Sequence, residues 1–266
     1  MTVPLTRDSG IEWQVDDGIG RLILDRETHA NTIGLAHSKA WPRAFESVVA
    51  AKPRVIVISA RGRIFCAGGD IEGFVAVGDA LGPYIAETLE PLHAGFITLA
   101  TAPCPIVSLV SGPIGGAGIG LALMADFVLA STTMKLRAGY PAIGLSPDLG
   151  ASFFLARRVG AVKAQRWLMT NDVFSAEECL AAGAVDALYA PDALESAGGA
   201  LVSRLRQAAP ASLAAIKQLC ANVTQQNLSA HIEREKRLLQ ACAETRDARE
   251  GVRAFREKRS AVFNGE

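Results

Sequence analysis

Two glycine-rich turns are the strongest candidates for chemistry in this sequence of 266 residues. The first reads Cys66-Ala-Gly-Gly-Asp70 and the second reads Gly112-Pro-Ile-Gly-Gly-Ala-Gly118, and each lies between a predicted strand and a predicted helix. Such turns expose backbone N–H groups, and the start of a helix adds partial positive charge. If the two turns converged on one point, their N–H groups would form an oxyanion hole, which stabilises a developing negative charge on oxygen. Either turn taken alone could equally be a simple tight turn.

Other catalytic and metal-binding patterns are absent from the sequence. The four histidines, at positions 29, 37, 93 and 231, have no metal-ligand spacing, and no two cysteines form a C-x-x-C pair. There is no G-x-S-x-G nucleophile elbow and no phosphate-binding G-x-x-x-x-G-K-[ST] loop. The glycines from Gly115 to Gly120 do not give the dinucleotide-binding G-x-G-x-x-G in register. We therefore predict no metal site and no cofactor.

The composition is that of a folded protein with balanced charge. Lys and Arg number 27 against 27 Asp and Glu, the pI is about 6.9, and 50% of residues are hydrophobic. These values exclude a disordered chain and argue against a nucleic-acid partner, which needs a basic surplus. The five cysteines are widely spaced, which favours free thiols. Residues 1–10 lack a signal-peptide pattern, so we expect a cytoplasmic protein and regard the glycosylation-like Asn222-Val-Thr224 as a chance match.

One uncharged stretch, Ala94 to Ala125, is long enough to be tested as a membrane span. Prolines at 103, 105 and 113 and a run of glycines between 112 and 120 interrupt it. We interpret the stretch as a strand at Pro105–Val110, a glycine-rich turn and a buried helix that ends near Met124. The sequence therefore predicts no membrane partner.

Strands and helices alternate along most of the chain. The β-rich runs Ile11–Val15 and Arg21–Leu24 flank Asp17-Gly18, which predicts a hairpin. The other predicted strands are Arg54–Ser59, Ile106–Val110, Phe127–Ala130 and Met134–Arg137. The predicted helices are Leu35–Ala51, Tyr84–Ala100, Ala151–Val159 and Val162–Thr170, one that begins near Ile71, and one capped by Ser175 and Glu178. After about Pro191 only helices are predicted, which implies an α/β core over residues 1–200 and a helical region over residues 201–266.

Five segments occur in order over nearly the whole chain. They are Phe65-Cys-Ala-Gly-Gly-Asp-Ile71, Ser111-Gly-Pro-Ile-Gly-Gly-Ala-Gly118 with Leu121 and Asp126 after it, Gly144-Leu-Ser-Pro-Asp-Leu-Gly150, Ser175-Ala-Glu-Glu-Cys-Leu-Ala-Ala-Gly183, and Asp247-Ala-Arg-Glu-Gly-Val-Arg-Ala-Phe-Arg-Glu-Lys-Arg259. These segments resemble motifs of the crotonase, or enoyl-CoA hydratase/isomerase, superfamily. Each match alone is weak, but the five together are specific.

The resemblance implies a spiral of ββα units with a C-terminal helical region that mediates a homotrimer or a dimer of trimers. It also implies acyl-CoA thioester substrates and an enolate-like intermediate, with coenzyme A as part of the substrate. By position, the oxyanion donors are the N–H groups of Gly69 and Ala117. The positions that the resemblance assigns to coenzyme A are Ala30, Ala67, Asp70 and Ile71, and to its adenine end Phe255, Lys258 and Phe263 of the same or a neighbouring subunit. Ile71, Phe74, Val75 and Tyr84 either line the acyl pocket or belong to the core.

The sequence departs from the family at both hydratase glutamates. Hydratases of this family use these two residues to position and split a water molecule. The corresponding positions here are Gly120 and Tyr140. Neither glycine nor a neutral tyrosine can act as a carboxylate base at neutral pH. The usual hydration machinery is therefore predicted to be missing, and Tyr140 is interpreted as pocket lining rather than as a catalytic donor.

One carboxylate remains, Asp148 in Ser146-Pro-Asp148-Leu-Gly150. Enoyl-CoA isomerases of the type found in fatty-acid and phenylacetate breakdown carry their acid/base group at this place. The resemblance implies that a single carboxylate takes a proton from C2 and returns one at C4. The alternative is that Asp148 only caps the helix that follows. Asp70 is interpreted as the cap of the helix at Ile71, and Asp126 as a structural hydrogen-bonding residue.

Three functions remain open at this point. The first is an enoyl-CoA isomerase that works through Asp148. The second is a hydratase, lyase or hydrolase with other acid/base groups. The third is a non-catalytic acyl-CoA-binding protein, which would have no need of Asp148.

Overall fold

The computed structural model describes residues 1–221 and 227–266. The glycosylation-like sequence Asn222-Val-Thr224 therefore lies outside the described residues. The described residues form two β-sheets with helices packed around them. The strands are β1 (Val3–Asp8), β2 (Ile11–Asp16), β3 (Ile19–Leu24), β4 (Val55–Ala60), β5 (Ile106–Val110), β6 (Ile114–Gly115), β7 (Phe127–Ser131), β8 (Lys135–Arg137), β9 (Val173–Ser175) and β10 (Ala187–Tyr189).

The larger sheet has seven strands in the order β1-β2-β3-β4-β5-β7-β10, and the smaller sheet has the order β6-β8-β9. The predicted hairpin is confirmed: β2 and β3 pair antiparallel with Asp16 opposite Ile19. Asp17 and Gly18 between them have φ angles of 46° and 72°, the left-handed geometry that a two-residue hairpin turn requires. Within the larger sheet, the neighbouring strands β3, β4, β5, β7 and β10 pair parallel. The strand β5 is buried along its whole length because helices cover the sheet.

The helices cover the sheets and then continue alone to the C-terminus. They are α1 (Leu35–Ala50), α2 (Ile71–Val77), α3 (Leu81–Ala100), α4 (Ala117–Leu123), α5 (Ala151–Val159), α6 (Ala161–Thr170), α7 (Ala176–Ala182), α8 (Leu194–Gln207), α9 (Pro210–Ala221), α10 (Leu228–Ala243) and α11 (Arg246–Glu257). The predicted strands and helices agree with these bounds to within a few residues.

A ββα unit repeats through the core. β5, β6 and α4 form one unit, and β7, β8 and α5 form the next. In each unit the first strand joins the larger sheet and the second joins the smaller sheet. The unit that precedes these two consists of β4, an isolated bridge in which Cys66 pairs with Ile114, and α2. This arrangement confirms the predicted α/β spiral, with helices at the C-terminal end.

Local signals set several helix ends. The capping box at α7 is confirmed, because Glu178 N–H donates to Ser175 Oγ at 3.2 Å and Ser175 N–H donates to Glu178 Oε2 at 2.7 Å. Thr245 caps α11, with Ala248 N–H donating to its hydroxyl at 3.0 Å. Asp247 accepts hydrogen bonds from the N–H groups of Asn264 and Gly265, both at 2.8 Å, and so holds the C-terminal segment against α11.

The predicted division of the chain at residue 200 falls inside α8. Leu194 and Val202 of this helix pack with Val57 and Leu109 of the larger sheet, so α8 belongs to the core. The purely helical part therefore begins at α9. The uncharged stretch Ala94 to Ala125 contains the end of α3, then β5, the glycine turn and α4. In the part of the chain that the structure describes, no helix is long and apolar enough to cross a membrane.

Candidate active site

The two glycine turns are packed against each other. Gly115 N–H donates to Cys66 O at 3.0 Å, and Phe65 N–H donates to Pro113 O at 3.1 Å. A Cβ atom on Gly68 would lie 3.0 Å from both Gly115 O and Gly116 Cα, and Gly68 has a φ of 102°. The approach is thus too close, and the backbone too left-handed, for a side chain at this position. Glycine at this position therefore allows the backbones of the two turns to come into contact. Two independent tight turns would not require such a contact.

Both residues predicted to supply the oxyanion donors lie in the wall of the same cavity. Ile33 forms a parallel bridge with Gly69: Ile33 N–H donates to Gly68 O, and Asp70 N–H donates to Ile33 O. In this pattern the N–H of Gly69 points away from Ile33. Ala117 is the first residue of α4, and its N–H therefore has no acceptor within the helix. Gly69 and Ala117 both lie in the wall of a cavity of about 580 Å³. This volume is typical of a small-molecule site.

The cavity wall is largely apolar. Phe74 of α2 lies against Gly69, where an added Cβ would approach its ring to 2.8 Å. The structure places four predicted substrate-binding residues in the wall: Ala67, Ile71, Phe74 and Tyr140. Val75 and Tyr84 are not part of it. Val75 is 76% exposed, and the Tyr84 hydroxyl accepts a hydrogen bond from Leu35 N–H at 3.2 Å.

Asp148 lies in the same cavity, on the loop that precedes α5. The alternative interpretation of its side chain as the cap of this helix is wrong. The cap residue of α5 is Gly150, without a side-chain cap bond, and Asp148 contributes only its backbone carbonyl, which accepts from Ala151 N–H at 2.8 Å. The side chain is therefore available to the cavity. Burial raises the pKa of Asp148 above its ordinary value, because desolvation disfavours the charged form.

Tyr140 is the direct partner of this carboxylate. Its phenolic hydroxyl donates to Asp148 Oδ1 at 2.7 Å, and the ring is buried. Burial and the nearby charge of Asp148 both raise the pKa of Tyr140 far above its ordinary value, so the phenol stays protonated. Tyr140 thus lines the pocket, as predicted, and also orients Asp148, which the sequence did not reveal.

The other glutamate position, Gly120, is filled by backbone. A Cβ atom there would lie 1.9 Å from Leu149 O and 3.0 Å from Ala151 N. The absence of a side chain at 120 lets the segment that carries Asp148 approach α4. A glutamate side chain cannot occupy this position without a shift of that segment.

Asp70 is confirmed as a helix cap. Its carboxylate accepts from Gly73 N–H at 3.4 Å and pairs with the Arg26 guanidinium at 3.1 Å. The Arg26 hydrogen bond and charge lower the pKa of Asp70 against the opposing effect of burial. Asp70 is not part of the cavity wall, and neither is Ala30, whose carbonyl accepts from Ala67 N–H at 3.0 Å. Asp126 is structural as expected, with Ile106 N–H and Lys217 Nζ both 2.8 Å from Oδ2.

The three residues assigned to the adenine end lie near the C-terminus and outside the cavity wall. Phe255 is 88% exposed on α11, and Lys258 ends this helix with a φ of 53°. Phe263 O accepts from the Arg54 guanidinium at 2.8 Å. Their contact with a ligand stays a prediction.

Sequence reasoning missed two titratable residues of the cavity wall, His93 and Arg137. His93 follows Leu89 and Leu92 on the face of α3 that meets the cavity. The signal for it was a lone polar residue at helical spacing among apolar ones. Arg137 is exposed on β8, and its Nε donates to Asn171 O at 3.3 Å. Cys66 is buried beneath the first turn, and desolvation raises the pKa of its thiol to about 12, so it is no nucleophile.

Comparison with known proteins identifies the family of this chain. Residues 14–266 match the family model described as enoyl-CoA hydratase/isomerase. The trans-2-decenoyl-[acyl-carrier-protein] isomerase of Streptococcus mutans is 29% identical, with 96% of this chain and 98% of that protein aligned. A probable enoyl-CoA hydratase of Rhodobacter capsulatus is 30% identical over the same shares of the two chains.

A solved structure supports the same assignment. The crystal structure of an enoyl-CoA hydratase from Polaromonas sp. JS666 has a TM-score of 0.89 and 28% identity, and the match covers 96% of this chain and all of that one. The relatives thus carry both hydratase and isomerase names. The chain belongs to the enoyl-CoA hydratase/isomerase family.

Proposed function

We propose that this enzyme is an enoyl-CoA isomerase, which moves the double bond of a 3-enoyl-CoA to give the 2-enoyl-CoA. The observation that carries the proposal is the position of Asp148. This half-buried carboxylate lies in an apolar cavity whose wall also contains Gly69 and Ala117. A double-bond shift needs a base near C2 and stabilisation of the enolate oxygen, and it needs no second reactant.

In this proposal the thioester oxygen accepts hydrogen bonds from the N–H groups of Gly69 and Ala117. Backbone donors held in place by packed turns stabilise the negative charge without reorganisation. The acyl chain lies against Ile71 and Phe74. Coenzyme A passes Ala30 and Ala67, which a backbone hydrogen bond joins, and then the start of α2 at Asp70 and Ile71.

Asp148 then acts as the base at C2. An aspartate with an ordinary pKa is a weak base, and the burial that raises the pKa of Asp148 brings it closer to the value that suits proton transfer near neutral pH. The Tyr140 hydroxyl holds Oδ1, which leaves Oδ2 for the substrate. The relative from Streptococcus mutans is named a trans-2-decenoyl-[acyl-carrier-protein] isomerase, and this name supports an isomerisation for the present enzyme.

Hydration of a 2-enoyl-CoA is the second candidate, because the Rhodobacter capsulatus relative is named a probable enoyl-CoA hydratase. The carbonyl of Leu149 beside Gly120 and the phenol of Tyr140 weigh against it, since neither supplies a carboxylate for water. A non-catalytic acyl-CoA-binding protein is supported least, because it would not need a carboxylate in the cavity. The five cysteines are free thiols, which supports a reducing compartment such as the cytoplasm.

A panel of 3-enoyl-CoA and 2-enoyl-CoA thioesters tests these functions. Absorbance reports conjugation of the double bond, and mass spectrometry reports addition of water. The isomerase proposal predicts that 3-enoyl-CoA becomes conjugated with no change in mass. Conversion of 2-enoyl-CoA to a product heavier by one water, with no isomerisation, would favour the hydratase. Binding by calorimetry without any conversion would favour the binding protein.

A further inference from the structure

The peptide unit that carries the Gly69 N–H joins two glycines. Gly68 has a φ of 102°, and neither glycine has a side chain that could hold the backbone in place. Glycine is the most permissive residue in its backbone angles, so contacts on either side must fix the direction of this N–H. The Gly69 N–H itself has no acceptor among the described residues, which leaves it unpaired in the wall of the cavity.

Ile33 holds this peptide unit by its carbonyl. Ile33 N–H donates to Gly68 O at 2.8 Å. The C=O and N–H of a trans peptide point in opposite directions, so the bond to Gly68 O sets the direction of the Gly69 N–H. The Ile33 N–H belongs in turn to the peptide unit that carries the carbonyl of Thr32. The two peptide units therefore stand in line, from Thr32 O to the N–H of Gly69.

The Arg26 guanidinium lies at the far end of this line. Arg26 Nη1 donates to Thr32 O and to Thr32 Oγ1, both at 3.0 Å. A hydrogen-bond chain thus runs from a positive charge through two peptide units to the predicted oxyanion donor. A charged donor makes a stronger hydrogen bond than a neutral one, and the hydrogen bonds of a chain polarise one another.

Asp70 anchors the same guanidinium on the other side of Gly69. Both terminal nitrogens of Arg26 donate to Asp70 Oδ2, at 3.2 and 3.1 Å, while the capping bond from Gly73 N–H goes to Oδ1. The side chains of Arg26 and Asp70 are only 22% and 20% exposed, so water screens the pair incompletely. Because Asp70 follows Gly69 directly, Arg26 restrains the chain both before and after the donor.

We propose that Arg26 is a positioning residue of the oxyanion hole, which directs and polarises the Gly69 N–H through the peptide units Thr32–Ile33 and Gly68–Gly69. Arg26 is not part of the cavity wall, so it acts through these groups and not on the substrate. The inference rests on the proposed role of Gly69 as a donor to the thioester oxygen. The contribution of Arg26 is largest when that oxygen carries negative charge, in the enolate.

The carbonyl stretch of a bound thioester tests this inference without any turnover. The probe is butyryl-CoA with carbon-13 in the carbonyl group, which has no double bond to move or to hydrate. Difference infrared spectra compare the probe on the wild-type enzyme and on Arg26→Met, which keeps a long side chain without donors or charge. A weaker hydrogen bond to the carbonyl raises its stretching frequency, so we expect a higher frequency in Arg26→Met. Equal frequencies would overturn the inference.

The rate of 3-enoyl-CoA isomerisation supplies the second measurement. Removal of a whole oxyanion donor costs about 10²–10³-fold in kcat. A donor that remains but is less well directed loses part of this, so we expect the kcat of Arg26→Met to fall at least about tenfold, with KM changed less than about threefold. The matched control is Arg206→Met, which removes an arginine that pairs with Asp17 outside the cavity wall. It should keep the wild-type kcat and carbonyl frequency.

Two further variants separate the hydrogen-bond chain from the ion pair. Asp70→Asn removes the negative charge but leaves Arg26 on Thr32 O, so we expect its carbonyl frequency to lie closer to wild type than to Arg26→Met. Equal frequencies in Asp70→Asn and Arg26→Met would assign the effect to the ion pair and overturn the inference. Arg26→Lys keeps the charge without the planar fork, so its frequency should lie in between. If Arg26→Met does not fold, wild-type frequency and kcat in Arg26→Lys would overturn the inference.

The outcomes also separate this inference from the proposed function. If the wild-type enzyme isomerises 3-enoyl-CoA and Arg26→Met matches it in both measurements, the isomerase stands and the positioning role is excluded. If the wild-type enzyme converts no 3-enoyl-CoA but the carbonyl frequency still depends on Arg26, the isomerase fails and the positioning role stands.

Discussion

The hydroxyl of Tyr140 donates to Oδ1 of Asp148 at 2.7 Å. This bond joins the position of one lost hydratase glutamate to the carboxylate that remains. Burial keeps the tyrosine protonated, so it can only donate to the carboxylate at neutral pH. The result is a carboxylate with one oxygen held and one oxygen free, next to two turns that present backbone N–H groups. The arrangement contains one carboxylate rather than two at these positions, which supports the proposed proton-transfer base.

Replacing Tyr140 by phenylalanine should shift the pH dependence of the reaction. The tyrosine hydrogen bond lowers the pKa of Asp148, and the charge on His93 acts in the same direction, while burial raises it. Without the hydroxyl the pKa of Asp148 rises further, so a higher pH is needed to form the active carboxylate. The acid limb of the kcat/KM profile should therefore move to higher pH in Tyr140→Phe. Tyr189→Phe, outside the cavity wall, is the control, and an unmoved acid limb would contradict this role for Tyr140.

A methyl group at Gly120 should destabilise the fold. Within an exposed helix, glycine to alanine usually stabilises by up to about 1 kcal/mol. At Gly120 the added Cβ would lie 1.9 Å from Leu149 O, so the segment of Asp148 must move. We expect Gly120→Ala to lose about 1–3 kcal/mol in the free energy of unfolding, the usual cost of overpacking.

Gly199→Ala on α8 is the matched control for this change, because an added Cβ there meets nothing within 4 Å. It should be neutral or stabilising in the same chemical denaturation experiment. If Gly120→Ala were as stable as Gly199→Ala, the close contact between α4 and the Asp148 segment would be excluded.

Crotonyl-CoA should be hydrated slowly or not at all. The glutamate positions hold Gly120 and Tyr140, and loss of an essential general base costs about 10²–10⁴-fold. The measurement is the loss of enoyl absorbance in water, with a dedicated hydratase run in parallel. Hydration at the rate of that hydratase would show that other groups activate water, and would promote the second candidate function.

The C-terminal helices should bury their apolar faces in an assembly. Leu228, Ile232 and Leu239 of α10 are 74%, 49% and 72% exposed, although such residues gain free energy by burial. Together with the family resemblance, this predicts a homotrimer or a dimer of trimers. Light scattering at micromolar concentration should return three or six times the chain mass of 28.0 kDa. A monomer mass would contradict the prediction.

Much of the fold was predictable because its signals are local. The hairpin at Asp17-Gly18, the buried strand at Ile106–Val110 and the capping box at Ser175 each depend on a few neighbouring residues. The glycine turns were found for the same reason. The ordered set of five motifs then indicated the family, which the comparisons confirm.

The parts that escaped prediction depend on contacts between distant segments. His93 and Asp148 share a cavity wall although they lie far apart in the sequence, and no spacing in the sequence indicates this. From the sequence, Asp148 could have been the cap of the following helix. In the structure α5 begins at Ala151 and its cap residue is Gly150. The predicted division at residue 200 falls inside α8, which packs on the larger sheet, a contact that its own periodicity does not specify.

Asp148→Asn should not weaken the fold. Burial raises the pKa of Asp148 in the folded state above its value in the unfolded state. The protonated acid therefore favours folding, and this contribution is complete below the unfolded pKa and lost as the pH rises through the folded pKa. At a pH above both values the buried carboxylate opposes folding. Asparagine has nearly the same size and carries no charge. We expect its thermal midpoint at pH 7 to equal or exceed that of the wild type. A clearly lower midpoint would indicate that Asp148 has a structural role.

The central claim is that Asp148 is the base of an isomerase, and the rate of 3-enoyl-CoA isomerisation by Asp148→Asn tests it most directly. The same preparation is checked for acyl-CoA affinity by calorimetry, so that a loss of binding is not mistaken for a loss of chemistry. We predict an affinity close to that of the wild type and a kcat lower by at least about two orders of magnitude. Equal isomerisation rates for the two proteins would contradict the account, because the cavity would then have lost its only proposed base at C2.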